Sequence, residues 1–204
     1  MTLVEMISLF DLIQDKVDTI YFTDAEKIEF LNTAQRVFVE SILFNPEKSV
    51  DSDKKVDALL YPIIDKDITI TPSSGDPTHV EIDTQVSGTV MYILSAQRQN
   101  GVAGAFVTAK WVRENEKGSF ADNTFKAPSV TNPWVETDGT TLKFTPTCTD
   151  NAKVSTVREP VDMVTGVTDC ELPVSVHEKV VGKAVALAGL ASDDEALIAA
   201  TKLI

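Results

Sequence analysis

The chain has 204 residues, 43% of them hydrophobic and 24% charged, enough for one packed domain or a core with an inserted lobe, and no apolar run approaches a membrane span. Its 31 acids against 18 bases leave a net charge of −13, spread along the chain as 12 acids to 6 bases over 1–61, 14 to 9 over 62–169 and 5 to 3 over 170–204. No basic patch offers neutralisation of phosphates, which argues against nucleic-acid binding through counterion release; distributed acid serves solubility, or a surface that a polyanion slides past without sticking.

Met1-Thr2-Leu3-Val4-Glu5-Met6 has no basic n-region and does not read as a secretory signal. Val4, Ile7, Phe10 or Leu12, and Val17 recur at helical spacing, predicting a first helix to about residue 18. Thr23-Asp24-Ala25-Glu26 is a capping-box signature, because the Thr23 hydroxyl can take an orphan N–H while Glu26 reaches back. The helix it starts carries Ile28, Leu31, Gln35, Phe38 and Ile42 on one face, widened by Ala34 and Val37, and is predicted to end before Asn45-Pro46. A shorter helix is expected over 52–61, stopping at Pro62.

The middle of the chain changes to period two. Strands are predicted over 67–71, 79–83, 89–96 and 105–114, with 97–104 as a hairpin loop, and again over 142–146 and 153–159. Between them, 115–138 reads as a long polar loop of the kind that serves a function or an interface. A helix follows over 176–188, then a break at Gly189, then a terminal helix capped by Ser192 and Glu195. The order of elements gives an α+β class: N-terminal helices over 1–64, a mainly antiparallel β lobe over 65–168 with its loop at 115–138, and C-terminal helices over 169–204 completing a helical bundle.

Signatures of chemistry are sparse. Alternation places His79, Glu81 and Asp83 on one strand face, the pattern of a carboxylate–imidazole metal site and equally of any solvated strand face. His177, beside Glu178 at a helix start, reads as a surface histidine, and Trp111 as core. Cys148 and Cys170 lack a C-x-x-C partner and read as reduced, partly buried thiols made in a cytoplasm. No catalytic, cofactor-binding or metal-binding residues are assigned, and no cofactor is expected. Phe120, Phe125, Pro128, Pro133 and Trp134 put large apolar groups into the polar loop. Such side chains must bury somewhere, either in this chain's own core or in a neighbouring subunit, so these five are the candidate interface residues.

Several stretches together resemble one family. Phe22-Thr23-Asp24-Ala25-Glu26 followed by Leu31-Asn32-Thr33-Ala34-Gln35-Arg36, then Leu59-Leu60-Tyr61-Pro62-Ile63-Ile64, then Asn132-Pro133-Trp134, and finally Cys170-Glu171-Leu172-Pro173-Val174-Ser175-Val176-His177 with Val180 and Val181, are similar in order to the neck and ring proteins of tailed bacteriophages, including short-tailed phages of the crAss-like kind. The chain departs from that pattern at Val86–Tyr92, which lacks the family's proline. The resemblance implies a non-enzymatic head–tail connector, a virion neck protein assembled in the host cytoplasm. It implies a ring of copies, commonly twelve, that contacts the portal and further tail or neck proteins while double-stranded DNA passes through without specific binding and no membrane is involved. A tail-completion or head-decoration subunit is the alternative, and a metal-dependent enzyme using His79 a third reading.

Overall fold

The structure, a computed structural model, describes residues 1–15, 22–44, 58–72, 79–82, 86, 88–100, 104–113, 127–138, 141–148 and 150–192. The protein is α+β, as its patterning predicts. It divides into a helical unit, Met1–Ile63 with Pro160–Ile204, and a β unit, Ile64–Glu159. The expected β lobe of 65–168 is thus shortened at its far end, because residues 160–168 belong with the helices.

In the helical unit, α1 (Leu3–Asp15) buries Leu3, Met6, Phe10 and Ile13. Phe10 is buried as expected, but Leu3 and Met6 take the inward places expected of Val4 and Ile7, and Val4 and Leu12 face outward. α2 (Asp24–Leu43) starts at the predicted capping box: the Thr23 backbone N–H and hydroxyl donate to Glu26 Oε2 at 2.8 and 2.7 Å, and the Glu26 N–H donates back at 3.4 Å. Those bonds, the side-chain one first, hold the Glu26 carboxyl below its usual value. α2 buries Leu31, Ala34, Gln35, Phe38, Val39 and Leu43, and also Lys27, whereas Ile28 and Ile42 are half-buried and Val37 is exposed. Lys27 fits inside because Asp11 of α1 meets its Nζ at 2.6 Å and Asp24 at 3.2 Å. Burial works against the ammonium, but the two carboxylates outweigh it and leave its pKa above the ordinary value.

Residues 58–60 are helical and run into a 3-10 turn, Tyr61–Ile63, that includes Pro62. α3 (Val174–Ala191) packs on both α1 and α2. It continues through Gly189, where a break was expected. The roughly 1 kcal/mol cost of an interior glycine is outweighed by burial of Val180, Val181, Ala184, Val185 and Ala188 on the same helix. Ser192 ends the helix as its C-cap, and the expected terminal helix lies outside the described residues.

The β unit contains two sheets that share one core. In the first, β1 (Ile64–Ile70), β8 (Ala152–Arg158), β3 (Val90–Gln99) and β4 (Phe106–Thr108) lie in that order, all antiparallel. The second runs β2 (His79–Glu81), β7 (Thr141–Thr145), β6 (Trp134–Asp138) and β5 (Lys110–Trp111), with β5 and β6 parallel. Ile70, Ala96 and Val154 from one sheet and Val80, Val135, Leu142 and Phe144 from the other form the common core.

The strand predicted over 105–114 is divided between the sheets. The Ala109 N–H bonds to the Ala96 carbonyl at 2.9 Å, and the next residue, Lys110, donates to the Pro133 carbonyl at 2.8 Å. Period two breaks at the switch: Ala109 and Val112, three positions apart, are both buried, and Lys110 and Trp111 between them are exposed. Ile64 pairs with Val157, so the chain enters and leaves the β unit on neighbouring strands.

Candidate functional site

Asn32, Gln35 and Arg36 stand at i, i+3 and i+4 of α2 and therefore share a face. All three reach the same distant segment. Asn32 Oδ1 accepts from the Met163 N–H at 2.8 Å and its Nδ2 donates to the Met163 carbonyl at 3.3 Å. The fully buried Gln35 donates to the Val161 carbonyl at 2.9 Å, and Arg36 pairs with Asp162 at 2.7 Å.

The other stretch carried by the resemblance closes the same segment from its far side. The Glu171 carboxylate accepts the Val161 N–H at 2.9 Å, the Cys170 thiol points to Gln35 Oε1 at 3.7 Å, and Asp169 accepts the Leu3 N–H at 2.7 Å. His177 is buried rather than on the surface: its Nε2 lies 2.7 Å from the Leu172 carbonyl and must donate to it, which puts the ring proton on Nε2. Burial pushes the Cys170 thiol above its ordinary pKa, and likewise that of Cys148 in the β unit. Both cysteines are free.

Held at both ends, the segment closes on itself in a tight turn. Val164 and Thr168 exchange backbone bonds of 3.0 and 2.9 Å, and Gly166 takes φ +72°, a conformation that costs a side chain about 1–2 kcal/mol. Met163, Cys170 and Leu172 are its buried anchors, whereas Val161, Val164 and Val167 are 49%, 50% and 81% exposed. The turn thus displays exposed valines on a backbone held by side-chain hydrogen bonds from α2 and Glu171.

A second feature lies in the β unit. β3 skips register against β8 between Val90 and Tyr92 and again between Ile93 and Ser95, leaving Met91 and Leu94 as the extra residues of two bulges. With Tyr92, Trp111 and Thr137 they line a cleft of about 320 Å³. Trp111, expected in the core, is 37% exposed because it sits on the short strand β5 at this cleft.

Of the five candidate interface residues, Phe120 and Phe125 lie outside the described residues and Pro128 is half-buried. Pro133 and Trp134 are buried by this chain itself, Trp134 at 3% exposure on β6, so their apolar surface is covered without a neighbour. Among the described residues of that stretch, Val130 is the exposed large apolar group, at a tight turn where Ser129 and Asn132 exchange backbone bonds of 3.1 Å. His79 pairs in register with Lys143, but its side chain and Asp83 lie outside the described residues. Among the described residues no group of three or more His, Cys, Asp or Glu is placed to hold a metal ion, and no helix is long and apolar enough to cross a membrane.

The valine-bearing turn is not legible in the sequence because the α2 side chains that hold it, Asn32, Gln35 and Arg36, lie more than a hundred residues from it. The surviving signal was the polar spacing of Asn32 and Gln35 on an otherwise apolar helix face. Comparison with known protein families gives no match to this chain, and comparison with curated proteins gives none either.

Proposed function

We propose that the chain is a structural subunit of a tailed-phage particle, a head–tail adaptor that forms a ring in the neck, between portal and tail, around the path of the exiting DNA. One observation carries the reading. Two of the stretches that carry the resemblance, Leu31–Arg36 and Cys170–His177, meet around the 160–172 segment, and their polar side chains are used to hold its backbone. The product is a rigid display of exposed valines, a surface suited to subunit contact, since apolar groups left in water on an ordered scaffold gain most when another protein covers them. The partners of this reading are further copies of the chain, the portal, and following neck or tail proteins. The distributed negative charge keeps DNA from adhering as it passes.

A cryo-EM map of the particle neck tests it. The expected result is the chain as a closed ring between portal and tail. Its absence from mature particles, or its placement on the capsid shell as a decoration subunit, overturns the proposal.

A further inference from the structure

We draw no further inference here: the strongest candidate, the cleft of about 320 Å³ in the β unit between the β3 bulges at Met91 and Leu94 and Trp111 of β5, carries nothing, because its lining has no charged side chain to select a ligand and nothing in the structure shows what covers it.

Discussion

Asn32 and Met163, 131 positions apart, bind each other twice, the side-chain amide of one standing in for a peptide group opposite the backbone of the other. Met163 is 1% exposed, so its amide has no water to fall back on. Asn32→Ala is expected to cost about 1–3 kcal/mol by leaving that amide unsatisfied. Asn32→Asp, which keeps the acceptor and loses the donor, should cost less. Urea unfolding of the two variants checks the order, and hydrogen exchange should show Thr168 losing protection before the core of α2 does.

Trp134 takes the own-core alternative of its two expected placements, whereas Trp111, expected in the core, is partly exposed. Trp134→Ala empties a site with 3% exposure and should destabilise the chain by about 3–5 kcal/mol. Trp111→Ala, at 37% exposure on an edge strand, should cost about 1 kcal/mol or less. Thermal unfolding separates them, and equal losses would contradict this placement of β5 and β6.

The Lys27 pair makes a prediction in alkali. Its pKa is raised above the ordinary 10.5, so the stabilisation is fully present below that value and is lost as pH rises through the higher folded one. Its size is on the order of 1 kcal/mol, given the solvent exposure of Asp24. Lys27→Met keeps the buried stem without the charge, and its stability should fall less than the unaltered protein's above about pH 10.5. Parallel curves for the two would count against the pair.

Both cysteines should resist a thiol reagent at neutral pH in the folded protein and react promptly in urea. Burial raises each thiol above its ordinary value and depletes the reactive thiolate. Fast labelling of either one without denaturant would show that its unit opens readily.

The capping box at Thr23, the ends of α2, the period-two middle and the α+β class were legible because the forces behind them act within a few residues: side-chain-to-backbone bonds at i+3, proline's fixed dihedral, and apolar repeats. Those same repeats placed Val4, Leu12 and Val37 inward by phase alone, and the structure exposes all three. Which member of an apolar face is covered depends on the element that arrives over it. Tertiary structure alone buried Lys27, by bringing Asp11 to it, divided the 105–114 strand between two sheets at Ala109, and set His177 under the Leu172 carbonyl. It alone turned Asn32 and Gln35 from polar interruptions of a helix into the fasteners of an outward valine turn. Local chemistry determines what each segment becomes; burial and the pairing of distant polar groups are decided by what each segment meets, and that is a property of the folded whole.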